Sequence, residues 1–274
     1  MSWKVFCIFA CVNDTQTKKE IMIHDYVKTE NGYEYGYPRA AMTADVVIFG
    51  FDGQGLRVLL VKRGEEPYLG QWALPGGFLR MEETIEECAR RELREETGLS
   101  VMNLQQLGVF SAVDRDPRYR VVTVAFYALA NVAAVRGMDD AMDAAWFALE
   151  DIVAERYDER GRKKMEVLMD LAFDHKDILK AALVRLRQDL HFHPVGFDLL
   201  PEKFSIPQLQ RLYEAILSVS FDRRNFHKKI LTTGILIDLG EKDAYAKHRA
   251  GSLYRFDEVQ YVRMKSDGTL RFEF

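Results

Sequence analysis

Between Gly76 and Leu99 the chain reads GGFLRMEETIEECARRELREETGL, with seven glutamates and four arginines in 24 residues. Carboxylates at this density either cover a solvated, arginine-paired helix or collect a cation. On a helix of 3.6 residues per turn, Glu92 and Glu96 are four apart and Glu95 is three from Glu92. All three therefore project from neighbouring positions on one face. Like charges so placed cost stability, and a hard divalent cation offsets that cost by taking their oxygens as ligands. Ile85, Ala89 and Leu93 give the helix an apolar stripe for a sheet, and Gly98 stands where a left-handed cap is needed. In the solvated alternative Arg90, Arg91 and Arg94 pair with the glutamates, and the helix taken alone leaves both readings open.

The wider spacing is more specific. Gly77, five residues, Glu83, seven residues, Arg91-Glu92-Leu93, one residue, Glu95-Glu96, one residue, Gly98-Leu99 reproduces every fixed position of the Nudix box. Ordinary residue frequencies give such a match by chance on the order of once in ten million. The chain thus resembles the Nudix superfamily over roughly residues 40–158. The resemblance implies an α/β (α+β) fold, a mixed sheet in an α/β/α sandwich, with the box as loop, helix and loop. It implies Mg²⁺ or Mn²⁺ held by Glu92, Glu95 and Glu96, helped by a backbone carbonyl near Gly76-Gly77. The implied reaction is attack of water on phosphorus in a nucleoside diphosphate linked to another group. Glu83 and Arg91 belong to the same catalytic set and brace the loop against the helix.

Glycine lets backbone approach a pyrophosphate closely, which makes Gly76 and Gly77 candidate phosphate-binding residues. Arg115, in "DRDPR", is a further ligand candidate, and Trp72 either stacks on a base or packs in the core. Asp143 is one candidate general base, with a capping or solvated aspartate as the alternative. Pro117 lies eighteen residues beyond Leu99, near but off the spacing of ADP-ribose-type enzymes. The signature of coenzyme A hydrolases is absent.

These residues need a scaffold. "ADVVIFGF" and "LRVLLVKR", separated by "DGQG", predict one pair of strands, and "LGVFSAV" with "YRVVTVAFYALA" a second. From Gly161 to Leu200 the pattern is mostly helical, with Ile178, Ala182, Leu186 and Leu190 on one face. Pro194 and Pro201 then punctuate the chain. The expected layout is an extension over 1–41, a Nudix domain over 42–158, a helical connector over 159–200 and a second domain over 201–274. The opening "MSWKVFCIFACVN" has too short an apolar run and too weak a basic region for an export signal. It reads as a buried N-terminal strand, or as an extension upstream of Met22.

The second domain has sharp local signals. In "FSIPQLQRLYEAIL", Ser205 and Gln208 form a capping box and Pro207 occupies the first turn. Leu209, Leu212, Tyr213, Ile216 and Leu217 mark its buried face. After "SVSF", Asp222 caps "RRNFHKKILTTG", with Phe221 and Phe226 as a hydrophobic staple. Phe226 and Ile230 face inward, leaving Arg223, Arg224, Asn225, His227, Lys228 and Lys229 outward. Two strand-like runs, "ILIDL" and "SLYRF", flank a loop with Lys242, Lys247, His248 and Arg249. Helix, tight turn, basic helix and basic hairpin is the layout of a winged helix, which sets its second helix in the major groove and the wing on phosphate. Lys247 and Arg249 are the wing's candidate DNA contacts. The alternative is a solvated surface, or a helix-turn-helix used for protein contacts.

Composition fits this reading. The 274 residues carry a net charge of −4, but residues 202–274 hold 13 Lys+Arg against 10 Asp+Glu. Cys7, Cys11 and Cys88 make neither a zinc spacing nor an even disulfide set, so a reducing, cytoplasmic setting is expected. No run of 18 apolar residues exists, so no membrane partner is expected.

Taken together, the Nudix box, "DRDPRYRVVTVAFYAL", "LAFDHKDIL" and the C-terminal helices resemble the Nudix-related transcriptional regulators of the NrtR type, from about residue 42 onward. That resemblance implies a homodimer that binds DNA and senses a small effector, ADP-ribose or a sugar derivative. Many such regulators have a damaged box and this chain does not. A second reading therefore stays open, a Mg-dependent pyrophosphohydrolase of nucleoside diphosphates whose C-terminal domain serves dimerisation.

Overall fold

The computed structural model describes residues 26–29, 32–35, 38–101, 103–132, 141–192, 195–242 and 251–269. The expectations for residues 1–25, and those for Lys247 and Arg249, lie outside the described residues. The chain divides into a unit of residues 1–39 and a larger unit of 40–274. In the first, β1 (Tyr26–Thr29) and β2 (Gly32–Tyr35) form an antiparallel hairpin.

The larger unit opens with a seven-stranded sheet made of β3 (Ala41–Phe51), β4 (Leu56–Arg63), β5 (Trp72–Ala73), β6 (Gly76–Phe78), β7 (Leu104–Phe110), β8 (Val121–Leu129) and β9 (Ala141–Ala148). Its path is β5-β4-β3-β8-β7, with β6 paired to β3 and β9 to β4. β3 and β8 run parallel and the other pairs antiparallel, so the sheet is mixed. The period-2 geometry of strands sorts its side chains between two cores. Ala44, Val46 and Ile48 of β3, with Leu59 and Phe126, pack against α1 (Ile85–Thr97). Val47, Phe49 and Phe51, with Val58, Leu60 and Tyr127, pack on the opposite face beneath α3 (His175–Phe192). The result is an α/β/α sandwich.

Helix α1 is fixed at both ends by its own sequence. Thr84 and Glu87 form a capping box, and Gly98 ends the helix in the left-handed region at φ 74°. Between β9 and α3 lie α2 (Leu149–Ile152), β10 (Val153–Tyr157) and β11 (Lys163–Val167). β10 and β11 pair as an antiparallel hairpin, so the expected helical connector from residue 159 begins instead as a strand. Helical periodicity holds only from His175 to Phe192. The alternation of Lys163, Met165 and Val167 toward one side explains the strand.

Beyond α3 the chain forms β12 (Phe204–Ser205), α4 (Ile206–Leu217), α5 (Arg223–Thr232), β13 (Leu236–Lys242), β14 (Ser252–Phe256) and α6 (Glu258–Ser266), with sheet order β12-β14-β13. This is the expected winged helix plus a terminal helix that the sequence reading did not anticipate. Gln208 accepts from the Ser205 backbone N–H at 2.7 Å, completing the capping box of α4. Asp222 accepts from the Asn225 N–H at 2.9 Å, and the Phe221 and Phe226 rings stand 5.4 Å apart as the staple requires. One continuous core joins the two domains. Ile178, Leu179, Leu183, Leu186 and Leu190 of α3 share a buried cluster with Leu209, Leu212, Tyr213 and Ile216 of α4. Each such leucine, fully buried, contributes roughly 1.5–3 kcal/mol. Arg187 adds a polar clamp, donating to the Ile216 carbonyl at 2.7 Å and to Ser218 Oγ at 2.8 Å.

Candidate functional site

The carboxylates of α1 divide into two groups. Arg91 is buried and takes Glu83 in a two-pronged pair, Nε to Oε2 at 2.9 Å and Nη2 to Oε1 at 2.6 Å, while Nη2 also donates to the Phe78 carbonyl at 3.1 Å. This is the brace between loop and helix that their spacing suggested. It holds the Glu83 carboxyl down to about 2. Arg91 Nη1 further binds Glu92 at 2.6 Å and Glu95 at 2.9 Å, and Arg80 stands 3.6 Å from Glu95.

Glu92 and Glu96 form the second group, pressed against the Gly76-Gly77 backbone. Glu96 accepts from the Gly76 N–H at 2.9 Å. A Cβ on Gly77 would sit 2.4 Å from Glu92 Oε1, so only glycine leaves room for that carboxylate. Burial raises the pKa of both, opposed at Glu92 by Arg91 and reinforced at Glu96 by Glu92 and Asp45, which takes Glu96 to about 8. Two carboxyl groups in a desolvated wall are a donor set that a hard divalent cation ionises and takes as ligands. The pair fits such an ion. Among the described residues no three His, Cys, Asp or Glu side chains gather closely enough to hold one ion. Glu95 shares Arg91 with Glu92 and has Arg80 at 3.6 Å besides.

These two glutamates line one wall of a cleft of about 380 Å³. Gly76, Gly77 and Arg115 line it too. Trp72 does not, and of its two readings it is packed against the core. In β5 the neighbouring Ala73 lines the cleft, so strand alternation sends the Trp72 ring to the other side, edge-on to Phe147 at 4.8 Å. Asp143 sits exposed in β9 opposite Lys62, outside the cleft lining.

The sequence reading missed what faces the glutamates. Arg115 is buried in a fork with Asp174, Nε to Oδ2 at 3.0 Å and Nη2 to Oδ1 at 2.7 Å, and reaches Asp45 at 3.2 Å. His175, the first residue of α3, is buried and accepts the Leu74 N–H on Nδ1 at 2.9 Å. Its proton therefore sits on Nε2, 3.7 Å from Asp45, and burial lowers its pKa. Phe173, at φ 54°, is held in the left-handed region that a bulky residue avoids. Its ring lies under the Arg63 guanidinium at 4.8 Å, and Arg118 stands over Phe78 at 5.1 Å. The cleft thus offers four arginines and two aromatic faces beside a carboxylate pair, a chemistry suited to a polyphosphate carrying a base or sugar. Only the "FDH" before a helical run hinted at Asp174 and His175.

On α5, Arg223, Arg224, Asn225, His227, Lys228 and Lys229 are all exposed, while Phe226 and Ile230 are buried. Asn225, Lys228 and Lys229 flank a cavity shared with Met264 of α6.

Residues 39–168 match the family described as the NUDIX domain, and residues 196–256 match the NrtR DNA-binding winged helix domain. A Nudix fold is compatible with divalent-metal use. A curated relative from Acinetobacter baylyi, the ADPR responsive transcriptional repressor NtrR, is 32% identical over 228 residues, covering 82% of this chain and 85% of the relative. The ADP-ribose pyrophosphatase of Methanocaldococcus jannaschii is 37% identical over 135 residues, 49% of this chain and 70% of that enzyme. Shewanella oneidensis NrtR, solved with a 27mer DNA, superposes with a TM-score of 0.66 at 32% identity, covering 80% of this chain and 96% of that one. This chain belongs to the NrtR family, in which a Nudix domain is joined to an NrtR-type winged helix.

Proposed function

We propose that the chain is a cytoplasmic, homodimeric transcriptional regulator that binds DNA through α5 and its wing and senses a nucleoside diphosphate effector, ADP-ribose or a sugar derivative, in the Nudix cleft. The observation that carries this is the surface of α5. Its inward side is filled by Phe226 and Ile230, and its outward side presents Arg223, Arg224, Asn225, His227, Lys228 and Lys229, with no ion pair to them among the described residues. Such a helix reads base edges with asparagine and grips phosphate with cations. The named relatives, an ADPR responsive repressor and a DNA-bound NrtR, support the same reading.

In the cleft, Arg115, Arg63 and Arg118 are placed to take the diphosphate oxygens and Phe78 and Phe173 to flank the base. Glu92 and Glu96 would hold Mg²⁺ or Mn²⁺, which supplies acidification of an attacking water and neutralisation of charge on the phosphate. Arg91 keeps Glu92 oriented and Glu83 ionised. The complete box favours a second activity at the same site, slow hydrolysis of the effector, as does likeness to an ADP-ribose pyrophosphatase.

Fluorescence anisotropy with duplexes enriched by the protein from a random library, with and without ADP-ribose, tests the regulator reading. Sequence-selective binding weakened or strengthened by ADP-ribose is expected, and binding no better than to random DNA at physiological salt removes it. Release of AMP from ADP-ribose with Mg²⁺ tests the second activity. Its absence across a broad panel of nucleoside diphosphates leaves the cleft as a sensor alone.

A further inference from the structure

The tip of the β10–β11 hairpin is basic. Residues 156–164 carry Arg156, Arg160, Arg162, Lys163 and Lys164 against Asp158 and Glu159. Two of the cations are spoken for, Arg162 by Asp158 and Lys163 by Glu155. Among the described residues Arg156, Arg160 and Lys164 have no ion pair, and all three are exposed. The strand register sharpens this. Arg156 lies directly opposite Lys164. Like charges facing each other across a ladder destabilise a hairpin. The alternate positions, Val153, Val167 and Met165, turn toward the core, so the Arg156–Lys164 face turns away from it. At the end of β10, Tyr157 stands 73% exposed.

The placement of the hairpin gives this repulsion a use. Its Glu155 pairs with Arg187 of α3, and Arg187 also holds the Ile216 carbonyl and Ser218 Oγ at the C-terminal end of α4. Ser218 opens the short turn that leads to Arg223 of α5. One arginine side chain therefore ties the base of the hairpin to the turn before the candidate recognition helix.

We infer that the β10–β11 hairpin is a second nucleic-acid contact, in which Arg156, Arg160 and Lys164 grip the phosphate backbone of the duplex read by α5. The inference rests on the DNA-binding reading above. A polyanion is the partner that relieves the facing Arg156 and Lys164, which share their face with Glu166, on a hairpin that Arg187 ties to the turn before α5. These contacts add affinity without sequence preference, because phosphate is the same at every step.

The test compares the wild-type chain with the triple variant Arg156→Gln, Arg160→Gln, Lys164→Gln and with Arg160→Gln alone. The probes are a 30-base-pair duplex enriched from a random library by the wild type and a scrambled duplex of the same composition. Affinity is measured between about 0.05 and 0.3 M salt. Each lost phosphate contact removes about 0.9 from the slope of log affinity against log salt, so the triple variant should lose between two and three units. At 0.15 M that is a weakening of roughly a hundred-fold on both duplexes, with the ratio between them unchanged. Arg160→Gln should lose about one unit. Thermal unfolding of the variants should be unchanged or shifted upward, since a repulsion is removed. An unchanged salt slope in the triple variant, with a wild type that binds DNA, overturns the hairpin contact and leaves the α5 reading standing. A loss confined to the enriched duplex also overturns it. If the wild type binds neither duplex, the DNA-binding reading itself falls, and this inference with it.

Discussion

A methyl group on Gly77 should cost metal binding without costing the fold, while the same methyl on Gly76 should do the reverse. At Gly77 the new Cβ would lie 2.4 Å from Glu92 Oε1 and 2.5 Å from its Cδ. Ordinary contact needs the carboxylate to retreat by about 1 Å. That group is the end of a flexible side chain, so it can move, but Arg91 pins it at 2.6 Å. Glu92 must then leave either its arginine or the Gly76-Gly77 wall where it stands beside Glu96. A misplaced ligand oxygen should weaken Mn²⁺ binding at least ten-fold, about 1.4 kcal/mol. Global stability should change by less than about 1 kcal/mol, the scale of a tolerated adjustment. At Gly76 the Cβ would meet the Ala44 backbone oxygen at 2.3 Å, and β3 runs through the middle of the sheet and cannot yield. Overpacking of that kind costs about 1–3 kcal/mol. For a domain of this size it lowers the Tm by roughly 2–12 °C. Titration calorimetry with Mn²⁺ and thermal unfolding, run in parallel on Gly77→Ala and Gly76→Ala, separate the two effects. Wild-type Mn²⁺ affinity in Gly77→Ala would show that Glu92 is not a ligand, and an unchanged Tm in Gly76→Ala would refute the tight approach to β3.

Three further outcomes are expected. Arg91→Met leaves Glu83, Glu92 and Glu95 without their shared cation, which should destabilise by about 3 kcal/mol; a urea unfolding curve that loses less than about 1 kcal/mol would contradict the brace. His175 titrates below its ordinary value because burial and the nearby Arg115 and Arg63 disfavour its charged form more than Asp45 and Asp174 favour it. The unfolded chain therefore binds the proton more readily, so stability is full above about pH 6.5 and declines as pH falls, by no more than about 1.4 kcal/mol per pH unit. Urea midpoints of His175→Gln should show a shallower decline between about pH 6.5 and 5 than the wild type, and parallel curves would count against it. Finally, Arg224→Ala with Lys228→Ala should abolish sequence-selective DNA binding and flatten the salt slope by about two units while leaving Mn²⁺ affinity intact. Retained selectivity in a gel-shift assay would move the DNA contact away from α5.

What the sequence determined by itself is everything whose cause lies within a turn or two of chain. The box helix follows from Thr84, Glu87 and Gly98, and α4 and α5 follow from the caps at Ser205 and Asp222 and the apolar spacing behind them. The Arg91–Glu83 brace needs the fold, because Glu83 lies in the loop ahead of the Thr84 cap and is folded back onto the helix. The cleft was different. Arg115 meets Asp174 across 59 residues and Asp45 across 70, and His175 meets Leu74 across 101. No local periodicity encodes pairings that exist only once β3, the loop before β8 and the start of α3 are brought together by burial of the sheet. The same holds for the choices among equals. Glu92, Glu95 and Glu96 share one face by helical spacing, and only the fold places Arg80 beside Glu95 and the Gly76-Gly77 backbone against the other two. Trp72 turned away from the cleft for a similar reason, since which face of a two-residue strand looks inward is set by its partner, β4, and not by its own sequence.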